Sequence, residues 1–197
     1  MQTDTMTKPI QKRAIATREK LLAAAKALIE QDSFEHLRVE DVVGAAGVAK
    51  GTFFAHFKDK DALLEQIIGA RLAGFNEAMA QSPVPENIAE MIARMRPLIA
   101  FSTSERTVFD VMVRHSGAAA SAEIGPIAEQ FDAQIALYSR WAASGPFRKD
   151  TDPELLGEGI SAFLIQAIAL TFCALHGQQA LEVRLAGYLT AWLLPQS

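Results

Sequence analysis

The chain is poor in cysteine, tyrosine and tryptophan, and no stretch alternates apolar and polar residues with period two. Its single cysteine, Cys173, excludes an intrachain disulfide framework, and a reducing cytoplasm is the simplest setting. The first ten residues are polar and have no apolar h-region, so no secretory signal is expected. The most apolar segment, Gly159 to Leu175, is short for a membrane span and carries Gln166 near its middle, which fits a buried helix and no membrane partner. Gly-rich phosphate loops, paired catalytic carboxylates and a nucleophile elbow are missing. His115 and His176 each lack an i+4 partner or a nearby cysteine, and Cys173 reads as a core thiol in an apolar helix. No enzyme, metal site or cofactor is therefore expected.

What is there is helical. The 197 residues are half apolar and one fifth charged, enough for one large domain or two small ones with a real core. The net charge of −4 is unevenly spread: residues 1–60 hold ten Lys/Arg against eight Asp/Glu, and the remainder nine against fifteen. A mildly basic head on an acidic body favours a polyanion at one end. Leu21, Leu22, Ala25, Leu28 and Ile29 form one helical stripe, with Thr17 as its expected N-cap. A longer stripe runs from Leu63 to Met79 and stops before Ser82-Pro83-Val84-Pro85. Further stripes follow at Ile88 to Ile99, Val108 to His115 and Ile124 to Ala142, then two apolar helices over about 154–175 and 179–194. The chain reads as all-α with about nine helices.

Within the head, Val39 to Ala46 makes a short helix, Gly47 a tight turn at positive φ, and Lys50 to Phe57 a second short helix. Two such helices around a glycine turn form a helix-turn-helix, whose second helix suits the major groove. Phe53 and Phe57, four apart, point inward. Lys50, Thr52, Phe54 and His56 are left toward the outer surface, and Gly51 lets a bare backbone approach a phosphate or base edge.

From Thr17 to Leu64 the sequence resembles the N-terminal DNA-binding domain of TetR-family transcriptional regulators. The residues that carry the likeness are Ala46-Gly47-Val48, Ala49-Lys50-Gly51-Thr52, and Phe53, Phe54, Phe57 and Lys60. The resemblance implies a homodimeric repressor released from a pseudo-palindromic double-stranded operator by a small molecule. It places Lys50, Gly51 and Thr52 where the family reads bases and nearby backbone, His56 and Lys60 where it grips phosphates, and Arg18 on a basic position near the start of helix 1. The chain departs from the pattern at four positions. Phe54 stands for a phosphate-binding Tyr, Ala49 for a capping Ser or Thr, Arg38 for a capping Thr, and Glu40 for a basic or polar residue. Arg38 can compensate as a phosphate contact, whereas Glu40 repels a nearby backbone.

The resemblance and the residues together set the remaining expectations. Residues 1–60 are the DNA-binding domain and 61–197 a helical ligand-binding and dimerisation domain, with 61–80 as the linking helix. Met91, Met95, Phe109, Met112, Phe131, Trp141 and Phe163 are expected to line an apolar pocket, oriented by His115, Tyr138 and Gln166. A hydrophobic or aromatic ligand with one or two hydrogen-bonding groups follows. Leu164, Ile168, Leu170, Leu185, Leu189 and Trp192 are expected at a dimer interface. The alternative is a helical ligand-binding or adaptor protein of the same fold with weakened or lost operator binding.

Overall fold

The computed structural model describes residues 7–117, 124–175 and 178–195, so His176 lies outside it. The described residues form nine helices and no strand. They are α1 (Thr7–Gln31), α2 (Val39–Ala46), α3 (Lys50–Phe54), α4 (Lys60–Gln81), α5 (Ile88–Ser102), α6 (Arg106–Arg114), α7 (Pro126–Ser144), α8 (Pro153–Thr171) and α9 (Leu181–Leu193). Two compact units meet inside α4, the first ending at Ile67 and the second beginning at Ile68.

In the first unit, Leu21 and Ala25 of α1, Val42 and Val43 of α2, Phe53, Phe57, Leu63 and Leu64 close one apolar core. α1 begins ten residues earlier than its expected cap. Thr17 is not an N-cap. It sits mid-helix, and its hydroxyl donates to the Arg13 carbonyl at 2.9 Å, the back-bonding that lets threonine live inside a helix. Residues 11–16 before it are exposed and the segment has no apolar stripe, so periodicity could not report it. α3 is also shorter than expected. It stops at Phe54, and a turn carries the chain on, with the Phe57 N–H donating to the Phe53 carbonyl at 2.8 Å.

In the second unit α7 packs along α8, α8 along α9, and α5 against α6 and α9. Glycine permits the closest approaches. A Cβ at Gly157 would lie 2.7 Å from the Ile135 carbonyl oxygen, and one at Gly159 would clash with the Trp192 indole. Helix ends are satisfied locally. Asn87 Oδ1 accepts from the Glu90 N–H at 2.9 Å, Asp152 caps α8 ahead of Pro153, and the Lys149 ammonium donates to three carbonyls at the end of α7. Arg96 and Glu182 form a two-pronged bridge, 2.8 and 3.0 Å, between α5 and α9. That bond holds the Glu182 carboxyl below the usual carboxylate range.

Three expectations are corrected here. Ile124 precedes α7 and is exposed instead of joining its buried stripe. α8 ends at Thr171, so Cys173 lies in the following turn, half-buried and free. α8 is, among the described residues, the one helix long and apolar enough to cross a membrane. One face of it (Leu156, Ile160, Leu164, Ala167, Ile168) is buried within the unit, while Leu155 on another face is exposed.

Candidate nucleic-acid interface and ligand cavity

The turn between α2 and α3 is fixed by backbone chemistry. Gly47 has φ 66° and ψ 38°, the left-handed conformation that closes a helix most cheaply with glycine. Its N–H donates to the Gly44 carbonyl at 3.2 Å, and the Val48 N–H to the Val43 carbonyl at 3.0 Å, a Schellman closure. Phe53 is then fully buried, with its ring 5.3 Å from Phe54 and 5.6 Å from Phe57. This anchor leaves Lys50, Gly51 and Phe54 exposed and Thr52 and His56 half-buried. A Cβ at Gly51 would meet nothing within 4 Å, so nothing inside the protein requires glycine there. Neither Arg38 nor Ala49 supplies a side-chain cap, leaving α2 and α3 uncapped at their starts. Asp59 does cap its helix, accepting from the Ala62 N–H at 2.8 Å just after Lys58.

Two contacts alter the expected electrostatics of this face. Lys50 Nζ lies 2.5 Å from Glu40 Oε1, and the bond holds the Glu40 carboxyl below its ordinary range. Glu40 therefore neutralises the lysine at the head of α3. Arg18 lies over the Phe57 ring, 4.9 Å from its centroid, which fixes a cation beside the anchoring aromatics.

In the second unit a small cavity of about 10 Å³ lies among α5, α6, α7 and α8. Leu98, Phe109, Met112, Val113 and Phe131 form much of its wall, and Leu164, Ile165 and Ile168 of α8 complete the apolar part. Its polar groups are Ser102, Gln134 and Ser161. Ser102 donates to the Leu98 carbonyl at 2.8 Å, but the buried Gln134 Nε2 has no hydrogen-bond partner. Tyr138, fully buried beside Trp141, also has an unpartnered hydroxyl, and burial pushes its pKa up.

Comparison with known proteins places both units. Residues 21–67 match the family model described as bacterial regulatory proteins, tetR family. That match covers the helix-turn-helix and its anchor. The N-terminal unit thus carries the tetR-family regulatory domain. The match supports a DNA-binding transcriptional regulator, and the helix-turn-helix lies within the matched residues. No curated protein matches the chain in sequence. Among solved structures, the chain is similar to Thermus thermophilus FadR, a TetR-family transcriptional repressor in complex with lauroyl-CoA, at 21% identity and TM-score 0.64. That likeness spans 91% of this chain and 97% of FadR. It is also similar to SmeT, the repressor of the Stenotrophomonas maltophilia efflux pump SmeDEF, in its triclosan complex (19% identity, TM-score 0.57, 91% and 92% covered). RolR in complex with resorcinol is a third, with 16% identity, TM-score 0.64, and 92% and 90% of the two chains covered. These likenesses show that the TetR fold extends through the second unit.

The residues expected around a ligand fall into three groups. Phe109, Met112 and Phe131 line the cavity. Met91, Met95, Tyr138 and Trp141 are buried in the surrounding core without lining it, and His115 is half-buried at the end of α6. Phe163 and Gln166 are elsewhere. Phe163 packs with Tyr188 at 5.3 Å and Trp192 at 5.8 Å between α8 and α9, and Gln166 is exposed. The wall residues missed in the sequence are Leu98, Ser102, Val113, Gln134, Ser161 and Ile165. Gln134 was findable: it lies one helical turn from Phe131 and Tyr138, as a polar member of an apolar stripe.

The residues expected at the dimer interface need a sharper division. Leu164, Ile168, Leu185 and Leu189 are buried in their own protomer, with Leu164 and Ile168 on the cavity wall. Leu170 and Trp192 are half-buried, and the Trp192 indole donates to the Leu156 carbonyl at 3.2 Å. Leu155, Ala162, Val183, Gly187, Ala191 and Leu194 keep their exposure.

Proposed function

We propose that this TetR-family regulator is a homodimeric repressor released from a pseudo-palindromic operator by a small, mainly apolar ligand. The observation that carries the reading is the cavity among α5 to α8, whose wall is apolar and aromatic with three uncharged polar side chains. Charged metabolites fit poorly, because no charged side chain lines that wall to compensate their burial. Two ligands of the similar structures, triclosan and resorcinol, are aromatic molecules with hydroxyl groups and support this class, whereas lauroyl-CoA joins an apolar acyl chain to a charged carrier.

At the DNA, Lys50, Gly51 and Thr52 read bases and backbone, while Arg18, Arg38, His56 and Lys60 meet the phosphate backbone and Phe54 lies beside it without a hydroxyl to bond it. Two such heads occupy successive major grooves about 34–36 Å apart or somewhat more. The partner covers the exposed face of α8 and α9 formed by Leu155, Ala162, Val183, Gly187, Ala191 and Leu194. Release follows if the ligand binds the DNA-incompetent arrangement more tightly, since only differential affinity moves such an equilibrium. Thermal-shift screening of a chemically diverse panel, followed by gel shift with each hit, tests the reading. Apolar hits that release upstream DNA support it, and polyanionic hits alone, or stabilising hits that never release DNA, overturn it.

The Glu40–Lys50 pair favours a second reading. If the carboxylate holds Lys50 away from phosphate, the chain keeps the fold and its ligand but binds operator DNA weakly. The same gel shift separates the two, because the second reading predicts no retained upstream fragment.

A further inference from the structure

The cavity wall contains a hydrogen-bond donor that the protein leaves unused. Gln134 is 97% buried, lies on α7 between Phe131 and Tyr138 in sequence, and faces the cavity, yet its Nε2 has no partner. A buried, unpaired amide N–H is costly, and native structures leave few of them. The other polar group with a defined bond, the Ser102 hydroxyl, is already spent on the Leu98 carbonyl. At about 10 Å³ the cavity has room for one water at most, so any larger guest must displace side chains. Met112, with its flexible thioether, and Phe109, at the α6 edge against Phe172 (5.7 Å between rings), are the wall residues suited to yield.

We infer that Gln134 is the residue that selects the ligand, donating from Nε2 to an acceptor oxygen on a small, neutral, aromatic or otherwise apolar molecule. The inference rests on the cavity being the ligand site proposed above. An apolar molecule without an acceptor fills the same space but leaves the amide unpaired. A site built around a buried polar group rejects the analogue that cannot satisfy it more strongly than an apolar wall rejects a misfit of one methylene.

The test compares acetophenone with α-methylstyrene, which have nearly the same shape and differ in C=O against C=CH2. Binding of each to the full-length protein is measured by calorimetry for wild type and for Gln134→Met, with Gln134→Leu as a second variant should the first fold poorly. Wild type is expected to prefer acetophenone by roughly tenfold, and either variant to bring the ratio near one while still binding α-methylstyrene. A merely structural role for Gln134 moves both affinities together and keeps the ratio, and that result overturns the inference while leaving the cavity as the ligand site. An equal affinity of wild type for the two probes, as when a trapped water satisfies the amide, overturns it as well. If neither probe binds wild type, the cavity reading itself fails and takes the inference with it.

Discussion

Replacing Glu40 with glutamine should tighten DNA binding. The Glu40 carboxylate holds the Lys50 ammonium at 2.5 Å, and both side chains are more than half exposed, at 62% and 58%. A lysine in that arrangement must give up or share its partner before it meets a phosphate. Glutamine keeps the size and removes the charge, leaving Lys50 as a full cation at the head of α3. Each phosphate neutralised contributes about 0.9 to the slope of log affinity against log salt, so two heads together add about 1.8. A slope difference of about 1.8 makes the variant's advantage shrink about twelvefold between 50 and 200 mM salt. Fluorescence anisotropy of a labelled upstream duplex across that salt range measures it. Acidification does not imitate the variant until well below the usual carboxylate range, because the Lys50 bond depresses the Glu40 pKa. An unchanged slope would refute the reasoning. Weakened binding confined to one operator sequence would also refute it, and would mean that Glu40 accepts a hydrogen bond from a cytosine amino group.

Other perturbations follow from the packing. Phe53→Ala empties a fully buried ring site and should cost about 3–5 kcal/mol in urea unfolding, abolishing DNA binding with it. Tyr138→Phe removes a buried unpartnered hydroxyl and should stabilise the protein by about 1 kcal/mol, raising Tm by about 2–4 °C. Because burial raises the Tyr138 pKa, its contribution is intact below the phenol's ordinary value of about 10 and lost above it, so the variant should also flatten the alkaline fall in stability. Val183→Glu places a charge on the exposed α9 face and should shift sedimentation from dimer to monomer at micromolar concentration; a wild-type monomer would refute the assembly itself.

The legibility of this chain varies with how local its signals are. α2 was readable to the residue because its valines and Gly47 each have a short-range physical cause, and the positive φ at Gly47 is that cause made visible. The start of α1 is hidden because residues 11–16 are exposed and no apolar stripe runs ahead of Thr17. The inward turn of Phe53 and Phe57 follows from i, i+4 spacing alone, but the Glu40–Lys50 bond joins residues ten apart across a turn and leaves no periodic trace. In the second unit, the apolar residues are legible as a class, but where each one packs is not. Leu164 and Ile168 on the cavity wall look the same in sequence as any leucine or isoleucine at a dimer seam. Side-chain partners in space decide that, and for Phe163 they are Tyr188 and Trp192 on α9.

The most direct test of the central claim is the anisotropy of a duplex from the chain's own upstream DNA, titrated with wild type and with the Lys50→Ala/Lys60→Ala double variant. Lys50 at the head of α3 is exposed, and Lys60 at the start of α4 is half-buried. The account predicts saturable, salt-sensitive binding by wild type, and for the variant a large loss with a shallower salt slope. Equal binding by the two proteins would contradict it.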